Sequence, residues 1–218
     1  MNKNKRWGIT VDSDKPIHVV LFISRNKDNR NINNFHERRE SFITTKNIAD
    51  LELDFEAFVR SGRPGELSRM YYSVNARNPK KIHKALLHYL IDNPEFNLCS
   101  IQSKLAGIAA TKECAAENHW LIDFDDKDIS EFESDLNEAA PGVEYLTYTT
   151  VNGFAVVVDR GFDTRTLLNK WGSVATVKKD DLLLCRWGVQ DVNYPKIYSS
   201  TIMSGRTYFK NQEDEIPY

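Results

Sequence analysis

Cysteine is scarce in this chain: Cys99, Cys114 and Cys185 are all that 218 residues contain. None of them forms a CxxC, and no histidine pair stands at a zinc-like spacing, so nothing points to a zinc site. The odd count excludes a complete disulfide framework, and a reduced, cytoplasmic setting follows most simply. Long apolar runs are missing too. No stretch of about 18 such residues exists, which leaves no candidate for a membrane-spanning helix. The basic opening Met1 to Arg6 (MNKNKR) is not followed by an apolar stretch, so no secretory signal is expected. An excess of either charge is lacking as well. A net charge of −2 gives no global pull toward nucleic acid or membrane. Any contact with nucleic acid would have to use a local basic patch. Glycine-rich phosphate loops and dinucleotide fingerprints do not occur. No Ser-His-Asp or Cys-His order supports nucleophilic catalysis.

What is present is a hydrophobic fraction of 41%, enough for a substantial core. Ile17 to Ser24 (IHVVLFIS) reads as a first core strand. A charged, asparagine-rich loop follows over 25–40, carrying Arg25, Lys27, Arg30, Arg38 and Arg39, and Ser41 to Thr45 suggests a short strand. Asn47 is placed to cap a helix that runs to Arg60 and is stopped by Ser61 to Gly65 (SGRPG). Arg69 to Val74 forms the second core strand. Asn78-Pro79 then opens a helix, with asparagine as cap and proline in the first turn. Residues 94–118 are ambiguous between helix and loop.

The most informative stretch is Trp120 to Asp126 (WLIDFDD), a strand over 119–125 that ends in carboxylates. In an extended chain Asp123 and Asp125 share a face about 7 Å apart. Two such carboxylates repel unless a cation compensates, and hard divalent cations prefer oxygen ligands. The alternative is that they merely end a strand and cap the next helix. Ser130 and Glu133 have the spacing of a capping box for that helix, which Pro141-Gly142 ends. Tyr145 to Thr150 and Phe154 to Val158 read as a hairpin joined through Asn152-Gly153. Asp163 caps a further helix. Ser173 to Val177 and Leu182 to Trp187 have the spacing of a final hairpin. The aromatics Tyr71, Tyr72, Tyr145, Tyr148 and Phe154 fall on strands, where a sheet face can stack single-stranded bases, although such residues more often form core. The whole predicts an α+β fold, a mostly antiparallel sheet covered by helices. Residues 1–16 are expected to be loose, 17–187 to form one domain, and 188–218 to be an irregular extension with an acidic tail from Asn211.

Arg77, Lys80 and Lys81 cluster at the start of the Asn78-Pro79 helix. They suggest a phosphate contact, helped by the free N–H groups of a helix N-terminus; a solvated helix face is the alternative. His119, just before the acidic strand, could reach a metal or a phosphate, or serve the core.

Four segments taken in order resemble a known pattern: Arg25 to Asn29 after the first strand, Arg69 to Arg77 leading into a helix, Trp120 to Asp126, and Thr149 to Asp163. Together, over residues 17–187, they resemble small phage and bacterial proteins distantly similar to the archaeo-eukaryotic primase (primase-polymerase) catalytic core. The resemblance implies an RRM-like primase palm and a metal-dependent nucleotidyltransferase site using Mg2+ or Mn2+. Asp123 and Asp125 would be catalytic and, with Asp126, would hold the metal. A third carboxylate would come from Asp159, Asp180 or Asp181. Asn152 and Gly153 would lie on the strand that contacts nucleotide phosphates. The histidine expected there is Ala155 in this chain, and alanine neither donates to a phosphate nor carries charge. The implied partner is nucleic acid or a nucleotide, with no membrane contact, in the host-cell cytoplasm if the protein is phage-encoded. The same scaffold also suits a non-catalytic phage accessory protein that binds nucleic acid, a nucleotide or a host protein.

Overall fold

In strand β1 (His18–Ser24) Val20 and Phe22 are buried on one face and Val19 and Ile23 on the other. A strand covered on both sides has to be a near-continuous apolar run, which is what the sequence provides. In the computed structural model, which describes residues 15–191 and 194–206, β1 pairs antiparallel with β2 (Arg38–Thr44) and with β3 (Leu67–Ser73). Strands β8 (Leu182–Val189) and β9 (Lys196–Ser199) complete a first sheet of order β2-β1-β3-β8-β9. A second five-stranded sheet has the order β10-β5-β6-β4-β7, from β4 (Trp120–Phe124), β5 (Tyr145–Thr149), β6 (Phe154–Val158), β7 (Ala175–Lys178) and β10 (Ile202–Arg206). The pairings in both sheets are antiparallel and the fold is α+β.

Alternation along the strands decides what covers each face. Val20, Phe22, Leu183 and Cys185 of the first sheet share one core with Leu121, Tyr148 and Ala155 of the second. Helix α1 (Glu52–Arg60) enters the same core through Phe55, Phe58 and Val59, with Phe55 and Phe58 5.4 and 5.7 Å from the Phe22 ring. Val19 on the opposite face packs with Ile82 and Ala109, from α2 (Pro79–Asp92) and α3 (Ile101–Ala109). On the far side of the second sheet, Ile122, Phe124, Val156 and Val158 pack against α4 (Ser130–Ala139) and α5 (Arg165–Trp171).

Several expectations are corrected. Strands β7 and β8 do not form a hairpin: β7 pairs with β4, β8 pairs with β3, and residues 179–181 carry the chain from one sheet to the other. Residues 196–206 are not irregular but supply an edge strand to each sheet; both strands are largely exposed and lack the apolar alternation that would have marked them. Asn47 does not cap a helix, because a 3-10 turn (Ala49–Leu51) leads into α1 instead. At α4 the capping box is not used: Asp128 accepts from the Ser130 amide, while Glu133 accepts from the hydroxyls of Thr147 and Ser204 and so fastens the helix to the sheet. Asn78 caps α2 as expected, accepting from the amides of Lys80 and Lys81 ahead of Pro79. The expectations for residues 1–14 and for the tail from Asn211 lie outside the described residues.

Candidate functional site at the seam between the sheets

Alternation in β4 turns Asp123 toward the first sheet, on the same face as Leu121, with Ala155 of β6 and Thr176 of β7 directly beside it. Lys178, at the end of β7 and opposite Leu121, shares that face. Its ammonium lies 2.7 Å from the Asp123 carboxylate and 2.8 Å from that of Asp181, which stands where the chain crosses back to the first sheet. Partial burial draws the Lys178 pKa down, but hydrogen bonds and charge from the two aspartates more than offset this, so it is held above the ordinary lysine value. All three side chains are between a third and two-fifths exposed, so the triad opens to solvent.

Below this triad lies a buried polar hub. Asn75 is 1% exposed, and its side-chain amide donates to Asp180 at 3.0 Å. Arg77 donates to the other Asp180 oxygen at 2.6 Å, with side chains 1% and 6% exposed. The amide of Val74 donates to the Asp181 carbonyl. His119 has its Nδ1 3.2 Å from the Val74 carbonyl. His18 stacks on Tyr72 at 4.5 Å with Nδ1 3.2 Å from the Ser73 carbonyl. Burial lowers the His18 pKa, only partly countered by the Ser73 hydrogen bond and the charge of Glu117, with Arg77 adding to the depression.

The other expected site residues are dispersed. Strand β4 ends at Phe124, so the alternation does not reach Asp125, whose amide donates to the Val174 carbonyl and whose side chain is exposed. Asp126 turns its carboxylate back onto the Lys127 amide at 2.6 Å. Asp123, Asp125 and Asp126 are therefore not brought together, and among the described residues no three His, Cys, Asp or Glu side chains form a group able to hold a metal. Asp159 accepts from the Glu144 amide, away from the triad. As arranged, Asp123 and Asp181 do not fit Mg2+ or Mn2+, because the Lys178 ammonium stands between them.

Arg77 is also corrected: buried in its pair with Asp180, it cannot reach a phosphate. Lys80 and Lys81 remain exposed at the start of α2, where the Lys81 ammonium donates to the Ala115 carbonyl. Gly153 has a packing role, since a Cβ there would stand 2.2 Å from the Phe124 carbonyl oxygen and 2.8 Å from that of Asp126. The Asn152 side borders an open hollow shared with Lys127, Thr150 and Met203. Ala155, where the resemblance expects histidine, is 1% exposed in the core between the sheets, and an imidazole would overpack it.

Lys178 escaped the sequence reading. Nothing in its local spacing ties it to Asp123, because the contact depends on β7 lying beside β4 rather than beside β8. No family model, no curated protein and no solved structure matches this chain.

Proposed function

We propose that this chain is a nucleic-acid-binding protein on a scaffold resembling the primase palm, with its carboxylate site closed by its own lysine. The observation that carries the reading is the Lys178 ammonium bridging Asp123 and Asp181 at 2.7 and 2.8 Å. A fixed ammonium offsets one of the two carboxylate charges and occupies the place between them, but it supplies no open coordination position for a reacting oxygen. Ala155 beside Asp123 points the same way, since it offers nothing to a phosphate. What remains useful on such a scaffold is polyanion binding rather than phosphoryl chemistry. Exposed Lys80 and Lys81 at the capped start of α2 supply one local contact for a phosphate backbone.

A second reading, metal-dependent nucleotidyl transfer, is favoured by one observation: Asp123 and Asp181 reach a common point from different parts of the fold and stay open to solvent. The two readings separate in a single experiment. Thermal melting with and without millimolar Mn2+ is compared for the wild type and Asp123→Asn, beside nucleotide incorporation on a primed template. The binding reading expects no Mn2+-dependent shift and no incorporation, with retention of a labelled oligonucleotide at low salt. A shift abolished by Asp123→Asn together with incorporation would establish the enzyme instead.

A further inference from the structure

Among the described residues, helices cover only one end of the outer face of the first sheet, and Asp28 of the loop after β1 lies against Arg69 at the other. Helices α2 and α3 lie over the end that carries Val19, Ile43 and Leu182. At the other end, five residues stand directly opposite one another in register across all five strands: Arg39, Ile23, Arg69, Trp187 and Tyr198. Directly opposed residues in antiparallel strands share a face, so this is one continuous row. Tyr71 of β3 is the next residue on that face in one direction, and Lys196 of β9 the next in the other.

The chemistry of the row is unlike that of a core. Trp187 and Tyr198 lie with ring centroids 6.0 Å apart and planes inclined by only 17°, and Tyr198 is 47% exposed on the edge strand. Arg39 is exposed at the opposite edge and has no ion-pair partner among the described residues. Between them Arg69 shares Asp28 with Arg25, two cations on one carboxylate, at 2.9 and 2.7 Å. Lys196 is paired at 3.5 Å with Asp191. Four cations thus accompany two carboxylates along the row, with Arg69 buried at its centre and Arg39 exposed at the edge away from the rings.

We infer that this row is a stacking platform for single-stranded nucleic acid. Bases would lie on Trp187 and Tyr198, and the phosphate backbone would run toward Arg39. Flat aromatic rings accept any base face, and flanking cations hold the backbone without reading sequence. The middle of the row is closed, with Ile23 and Arg69 each 8% exposed, so stacking falls to the adjacent Trp187 and Tyr198 at the β9 end, room for about two bases. A duplex would not serve, because its bases are already stacked on one another. The site lies on the face of the first sheet opposite the one that meets the second sheet, so it is separate from Asp123. The inference rests on the proposed reading that the partner is nucleic acid.

The test uses the full-length chain and fluorescence-labelled oligo(dT) and oligo(U) of about fifteen nucleotides, with a duplex of equal length as competitor. Wild type should bind the single strands in preference to the duplex and with quenching of tryptophan emission. Tyr198→Ala should weaken binding about ten-fold. Arg39→Gln should lower the dependence of log affinity on log salt by about one contact. Both positions are exposed, and unchanged melting temperatures would show that neither variant unfolds the sheet. If wild type binds and both variants bind equally well, the platform is wrong while the nucleic-acid reading stands. If wild type binds neither strand at low salt, that reading fails and takes the platform with it.

Discussion

Asn75 holds His119 by both sides of its peptide backbone: Asn75 Oδ1 accepts from the His119 amide at 2.7 Å, and Asn75 Nδ2 donates to the His119 carbonyl at 2.9 Å. The side chain thus acts as one rung of a strand ladder between the end of β3 and the approach to β4. Asn75→Ala would leave the His119 groups and one Asp180 oxygen without this partner. The expected loss is about 3 kcal/mol or more, given about 1–3 kcal/mol for each of the three groups left unsatisfied. Urea denaturation checks it; a loss below the error of that measurement would mean that water replaces the amide freely.

Lys178→Met removes the one cation that Asp123 and Asp181 share among the described residues. Because the triad is more than a third exposed, solvent screens it and the stability cost should stay near 1 kcal/mol or below. The informative consequence is a new one. The variant should gain a melting-temperature rise with millimolar Mn2+ that wild type lacks, and Lys178→Met combined with Asp123→Asn should lose it. A variant as indifferent to Mn2+ as wild type would show that the two carboxylates cannot converge on an ion.

Gly153→Ala sets a methyl group against two backbone carbonyl oxygens at the end of β4. Backbone cannot swing aside as a flexible side chain does. A loss of about 1–3 kcal/mol is therefore expected from overpacking, readable as a lower urea midpoint. Asn152→Ala, one residue earlier and exposed, should change the midpoint little. Equal effects at the two positions would contradict the packing role of Gly153.

Acid should weaken the fold through His18. Its folded pKa lies below 6.5 because burial disfavours the imidazolium. The unfolded chain therefore binds more protons as pH falls past 6.5 toward the folded value, and stability falls with it. The contribution is complete above the unfolded pKa and is lost on acidification. Melting temperatures at about pH 7.5 and about pH 5.5 lie on either side of the unfolded histidine value. The difference between them should shrink in His18→Gln; an unchanged difference would assign the acid sensitivity to other groups.

Local chemistry was legible in the sequence where one segment satisfied itself. The Asn78-Pro79 start of α2, the hairpin of β5 and β6, and the apolar register of β4 all follow from neighbours within a few residues. What could not be read depends on which strand lies beside which. The segments of β7 and β8 have hairpin spacing, yet Asp180 is claimed by Arg77 and Asn75 from the far side of the fold, and the intervening turn becomes a crossing. Arg77 looked like a surface cation because its neighbours Lys80 and Lys81 are; its burial is set by a carboxylate 103 positions away. Tyr71 was recognisable as a sheet residue, but the row it borders needs the exposed strand β9, which carries no periodic signal.

The passage of the chain between the sheets bears on how it can be made. Among the described residues it crosses three times, from β3 to β4, from β7 to β8 and from β9 to β10. Neither sheet is a contiguous stretch, and each receives an edge strand from the last segment described. A nascent chain leaving the ribosome would hold β3 paired on one side only, with β1, until β8 emerges, and would leave β8 and β5 each with an open edge until residues 196–206 follow. Unpaired edges of this kind invite intermolecular pairing. Chains stalled or truncated before β9 should accordingly collect as aggregates in the cell, while the finished chain does not.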